Sequence, residues 1–97
     1  MAEVRLSEDA RLDLIDIDAY GGERFGGEVS DAYQRAIADL LDRLENFPLI
    51  GEARPDYGLG MRCIRHKSHR ILYRVAGDQV VIARILHPSR DVSRHLK

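Results

Sequence analysis

Two sets of side chains in this chain have the types and spacing that chemistry uses. The first is Cys63-x-x-His66-x-x-His69, with His87 and His95 as the remaining histidines. Thiol and imidazole ligands at short spacing suggest zinc. In a β pattern, however, positions three apart point to opposite faces, and a closed zinc site needs a fourth ligand. No metal or other cofactor is therefore expected. Cys63 alternates with Met61 and Arg65 and reads as a small, inward-facing residue rather than a nucleophile with a histidine base. The second set is basic: Arg62, Arg65, Lys67, Arg70, Arg74, Arg84, Arg90 and Arg94, all in the second half and nearly all arginine. Arginine favours two-pronged contacts to phosphate or carboxylate, so a nucleic acid and an acidic protein segment are both readings of this set. Only Tyr73 lies among the strands, which disfavours stacking on single-stranded bases. Asp9, Asp13 and Asp16 recur along one flank of a helix and read as a solvated face, not as acid–base catalysts. Gly58-Leu59-Gly60 precedes a strand and lacks both the phosphate-loop lysine and the dinucleotide fingerprint.

These residues must be carried by a single domain spanning 1–97, because 97 residues leave no room for two cores. A hydrophobic content of 44% and a charged content of 32% are globular values. One cysteine excludes an internal disulfide, and the longest apolar run, 80–83, is far below the ~20 residues of a membrane span. With no apolar leader in view, a cytoplasmic protein is expected. The net charge of −1 hides a division. Residues 1–50 hold 12 acidic and 5 basic side chains, while residues 51–97 hold 4 acidic and 10 basic ones. Such asymmetry suggests a charged partner, or else two solvated surfaces that offset each other.

Periodicity then places the elements. Residues 3–6 alternate as a short strand, and Ser7 followed by Glu8 and Asp9 is a helix N-cap with acids in the first turn. The first helix is expected over 8–20, ended by Gly21-Gly22. Its wheel carries two apolar stripes, Ala10, Leu14 and Ile17 on one side and Leu12, Ile15 and Ala19 on the other, where a surface helix normally has one. The second helix is expected over 27–46, with a broad stripe from Val29 to Leu44, making a helical hairpin with the first. Strands are expected over 61–67, 69–76 and 79–87, joined by turns near Lys67-Ser68 and at Gly77-Asp78, and 91–97 is a candidate final helix. With Gly77-Asp78 as a two-residue turn, Val75 opposes Val80. One sheet face then holds Ile71, Tyr73, Val75, Val80, Ile82, Arg84 and Leu86, the natural core face. The other holds Arg70, Leu72, Arg74, Val81, Ala83, Ile85 and His87. That mixture of arginine and aliphatic side chains reads as a face covered by a partner, with a one-residue slip exchanging the two faces.

The order of these elements and several strings resemble the ParE toxins of bacterial type II toxin–antitoxin modules, in the RelE/ParE superfamily. The strings are Arg5-Leu6-Ser7 before an acidic helix, Tyr20 with the glycine-rich turn, and Asn46-Phe47-Pro48-Leu49-Ile50-Gly51 with Arg54-Pro55. Gly60-Met61-Arg62, His69-Arg70-Ile71-Leu72-Tyr73-Arg74-Val75, Val81-Ile82-Ala83-Arg84-Ile85-Leu86-His87 and the tail from Arg90 to Leu96 complete the set. The resemblance implies an α+β fold of order β-α-α-β-β-β, with a helical hairpin on an antiparallel sheet and a short C-terminal helix. It implies a toxin that inhibits DNA gyrase and blocks replication when released from a ParD-like ribbon-helix-helix antitoxin. Operator DNA would be reached only through that antitoxin. On this reading Leu12, Ile15, Ala19, Arg70, Leu72, Arg74, Val81, Ala83 and Ile85 face the antitoxin, and Arg62, Arg65, Lys67, His87, Arg90 and Arg94 face the target. The superfamily also holds RelE-type ribosome-dependent mRNA endonucleases, for which Arg62, Arg84 and His87 would be the recruits, and a degenerate member without toxicity is a further alternative. Related nucleases commonly place a tyrosine near the C-terminus; this chain has none after Tyr73, and Pro88 follows His87.

Overall fold

A computed structural model describes residues 2–25, 27–66 and 69–86, with backbone alone over 18–25 and 27–30. Strand β1 (Glu3–Leu6) leads into helices α1 (Glu8–Phe25) and α2 (Gly27–Asn46). A two-residue strand β2 (Glu52–Ala53) and a 3-10 turn (Pro55–Tyr57) follow, then β3 (Met61–His66), β4 (His69–Ala76) and β5 (Gln79–Leu86). The five strands form one sheet in the order β1-β5-β4-β3-β2. All neighbours are antiparallel except β1, which runs parallel to β5 at the edge. The turn near Lys67-Ser68 and the expected final helix lie outside the described residues, as do Lys67, His87, Arg90 and Arg94.

Ser7 starts α1 as the sequence suggests: its hydroxyl accepts the Ala10 N–H at 3.0 Å. The end of α1 differs from expectation. The helix runs through Gly21-Gly22 to Phe25, because glycine in a helix costs only about 1 kcal/mol relative to alanine and does not forbid it. Ala10 is fully buried, and Leu14 and Ile17 pack beside it against Ile37, Leu40 and Leu44 of α2 and Ile71, Tyr73, Val80 and Ile82 of the sheet. Burying aliphatic side chains of this size is worth about 1.5–3 kcal/mol each, so this helix–sheet seam holds the molecule together.

The β4–β5 turn has the expected register, with Ala76 opposite Gln79 and Val75 opposite Val80. Gly77 adopts φ 62°, the left-handed conformation that such a turn demands of its first residue. Beyond Ile82 the expectation fails. Tyr73 pairs with Ile82 but Leu72 pairs with Arg84, so Ala83 is an extra residue, a β-bulge. The alternation therefore changes phase. Ile85, expected on the mixed face, joins the helix-side core at 2% exposure. Leu86, expected in that core, instead packs with Met61, Cys63 and Leu72 in a second cluster, flanked by Tyr57 and Ala83.

Candidate functional site

Helix α1 does two jobs with neighbouring residues. Leu12 and Ile15 are 52% and 59% exposed, on the side opposite Ala10, Leu14 and Ile17. The two-stripe pattern is thus real as far as side chains are described; that of Ala19 lies outside them. Between the stripes, Asp13 is not solvated. Its carboxylate accepts from Arg84 Nε at 2.9 Å and Arg84 Nη2 at 2.8 Å, and from the Ile85 backbone N–H at 2.9 Å. Both side chains of the pair are largely buried, and the bond to Asp13 pushes the Arg84 guanidinium further above its ordinary range. Ser7 adds to this by donating its hydroxyl proton to the Ala83 carbonyl at 2.8 Å. The backbone groups that the bulge removes from the strand ladder are thus bonded by side chains of α1 and its cap.

The outer sheet face is an apolar strip edged by cations. Met61, Leu72 and Leu86 are buried in it. Arg65 and Arg74 are exposed, and Arg70, Val81 and Ala83 are half-buried. Arg65 and Arg70 are register partners. Arg70 Nε is buried with no hydrogen-bond partner among the described residues. Cys63 lies in the same strip. Burial pushes its thiol up, against the opposing pull of Arg54, Arg65 and Arg70, which is the condition of an inert thiol rather than a nucleophile.

Of the expected target-facing residues, Arg65 is exposed, but Arg62 is engaged. Its Nη1 donates to the Gly51 carbonyl at 2.5 Å and the Leu49 carbonyl at 3.2 Å. That clamps the segment after α2, where Gly51 also donates its N–H to the buried Tyr73 hydroxyl at 2.8 Å. A Cβ on Gly51 would meet that hydroxyl at 2.6 Å, so only glycine fits. Burial raises the Tyr73 phenol above its usual range. Local pattern does not signal the Gly51–Tyr73 contact, nor the engagement of Arg54, which pairs with Asp56 at 2.8 Å and stacks over Tyr57 at 4.1 Å. Asp13–Arg84 had a faint sign: a lone arginine on the expected core face needs a carboxylate. Cys63 and the histidines do not converge. Cys63 is opposite Leu72, whereas His66 is opposite His69 at the other register parity. Among the described residues no group of three or more His, Cys, Asp or Glu could hold a metal.

A helical hairpin on a bulged sheet, with an outward apolar stripe and an arginine-edged face, defines a small α+β domain. Residues 4–92 match the family described as ParE toxin of type II toxin-antitoxin system, parDE. The chain is 34% identical over 96 residues to Toxin ParE1 of Caulobacter vibrioides, covering 99% of both chains. To Toxin ParE1 of Mycobacterium tuberculosis it is 33% identical over 92 residues, 94% of both. The fold is shared with a chain of the chromosomal ParDE system from P. aeruginosa (TM-score 0.67, 22% identity, 90% of this chain and 96% of that one). It is shared also with a chain of the RelBE2 toxin–antitoxin complex from Mycobacterium tuberculosis (TM-score 0.66, 24% identity, 89% and 96%). This chain belongs to the ParE toxin family of type II toxin–antitoxin systems.

Proposed function

We propose that the protein acts by inhibiting DNA gyrase when free and is silenced by a ParD-like antitoxin. The observation that carries this reading over mRNA cleavage is the employment of the arginines. A nuclease needs cations free to hold the phosphate and groups to move the 2′-hydroxyl proton. Arg84 is bound to Asp13, Arg62 is bound to the Leu49 and Gly51 carbonyls, and Tyr73 is buried with its hydroxyl accepting from Gly51. Supercoiling by purified gyrase tests the proposal: the free protein should inhibit it and trap cleaved DNA. Unaltered supercoiling together with new codon-periodic 5′ ends in primer extension on translated mRNA would replace this reading with the nuclease one.

The antitoxin contact would use Leu12, Ile15 and Ala19 on α1, and Arg70, Arg74, Val81 and Ala83 on the sheet; Leu72 and Ile85, at 0% and 2% exposure, are buried and support that surface without touching a partner. The two surfaces look away from each other, since the stripe points outward from the helix layer and the strip lies on the other side of the sheet. One straight segment cannot lie across both, so the antitoxin must wrap the molecule. Charge assigns the parts: an acidic amphipathic stretch suits the strip beside Arg65, Arg70 and Arg74, and an apolar stretch suits Leu12 and Ile15. Arg74→Glu should weaken the complex by more than ~1 kcal/mol with folding intact, and unchanged affinity would remove the strip from the interface. Arg65, Lys67, His87, Arg90 and Arg94 stay as the proposed target contacts, while Arg62 holds the segment after α2.

A further inference from the structure

We propose that His66 and His69, with Tyr33, bind one imidazole-preferring transition-metal ion, with Zn2+ as the probe. His66 ends β3 and His69 begins β4, and the two are direct register partners, so their imidazoles leave the same face of the hairpin. Side chains directly opposite across two strands start about 5 Å apart at Cβ, close enough for both rings to reach one ion. Tyr33 of α2 closes the site from the helix side. Its ring lies edge-on to both imidazoles, at centroid distances of 5.2 Å from His66 and 5.3 Å from His69. Its hydroxyl is hydrogen-bonded to His69 Nδ1 and lies 3.3 Å from the His66 carbonyl. Most telling is His66 Nε2, which is buried with no hydrogen-bond partner among the described residues. Buried ring nitrogens almost always have a partner, and a metal ion is one.

The surroundings select the kind of ion. Arg65 and Arg70, the adjacent register pair, leave the opposite face of the hairpin, so the donor set decides. Calcium and magnesium take carboxylate and carbonyl oxygens, which two imidazoles do not supply, whereas zinc, nickel and copper bind neutral imidazole. Tyr33 supplies a phenol oxygen as third donor and releases its proton to solvent on coordination, water completing the shell; uptake therefore rises with pH. The ion would tie the end of the β3–β4 hairpin to α2.

Calorimetric titration of the full chain with ZnCl2 should give one saturable site. His66→Gln and His69→Gln should each weaken it about tenfold or more, Tyr33→Phe less, and the double change His87→Gln with His95→Gln not at all. Long-range 1H–15N spectra of the unaltered chain give a readout that does not depend on the variants folding: one equivalent of Zn2+ should shift the ring nitrogens of His66 and His69 together. No saturable heat, ring signals that stay put, or binding lost only with His87 and His95 would overturn the proposal.

Discussion

The inner and outer sides of α1 are built on opposite rules, although the residues that show it are sequence neighbours. Asp13 points inward and has three donors on it. Leu12 and Ile15 point outward and are more than half exposed. The inner side holds α1 to the one irregular stretch of the sheet. Leu12 and Ile15 join neither core cluster among the described residues, and they are the part of α1 proposed to meet the antitoxin. The difference separates changes that cost stability from changes that cost binding.

That separation can be broken in order of effect. Ile85→Asp places a carboxylate in the helix-side core and should cost more than about 4 kcal/mol, leaving no cooperative transition in urea. A folded, merely antitoxin-deficient variant would put Ile85 back on the surface. Asp13→Ala takes the carboxylate away from a mostly buried guanidinium and from the Ile85 N–H, and should cost about 2–4 kcal/mol by denaturant titration. Tyr73→Phe leaves the Gly51 N–H without its acceptor, at about 1–2 kcal/mol near neutrality. Because the folded-state phenol is raised above its unfolded value, its contribution is complete below the unfolded range and falls as pH rises through the folded one. Alkaline stability profiles of Tyr73→Phe should therefore lack part of the decline seen in the parent. Leu12→Asp with Ile15→Asp should move stability by no more than about 0.5 kcal/mol. The same pair should weaken antitoxin binding by more than about 2 kcal/mol in a calorimetric titration. A loss of stability comparable to that of Asp13→Ala would erase the contrast.

Much of this architecture is legible from local pattern. The cap at Ser7, the stripe of α2, the turn at Gly77-Asp78 and the three long strands follow from capping, helical period and alternation. What escaped was set by tertiary contact. The helix passes through Gly21-Gly22 because a weak propensity is a small penalty. The parallel pairing of β1 with β5 joins residues more than seventy positions apart, which no window can see. The phase change at Ala83 is invisible to a count of alternating residues, so Ile85 and Leu86 exchange places. At the candidate site the outward position of Leu12 and Ile15 was readable because helical period sets them opposite Ala10, Leu14 and Ile17, although a helix packed on both sides was the other reading of two stripes. Asp13 was misread as solvated because its partner Arg84 is distant in sequence. Whether Arg62 is free or engaged depends on carbonyl positions in a loop, which its residue type does not encode.

The bulge at Ala83 also limits how the chain can change length. Deleting that single residue would let β4 and β5 pair without interruption, so the backbone itself would not object. Every pair after it would keep its present partner and face, with Arg84 opposite Leu72, Ile85 opposite Ile71 and Leu86 opposite Arg70; what would go is the Ala83 carbonyl that Ser7 holds. Closing the bulge with Ala83 retained is what would turn the faces over, sending Ile85 outward and Leu86 inward. The strand should therefore accept a one-residue gap only at Ala83, whereas the 54–60 loop, with Leu59 almost fully exposed at 95%, is where other single-residue gaps belong. Length variation among related sequences should therefore read out this one irregularity, with gaps falling at the bulge or where no side chain is obliged to choose a face.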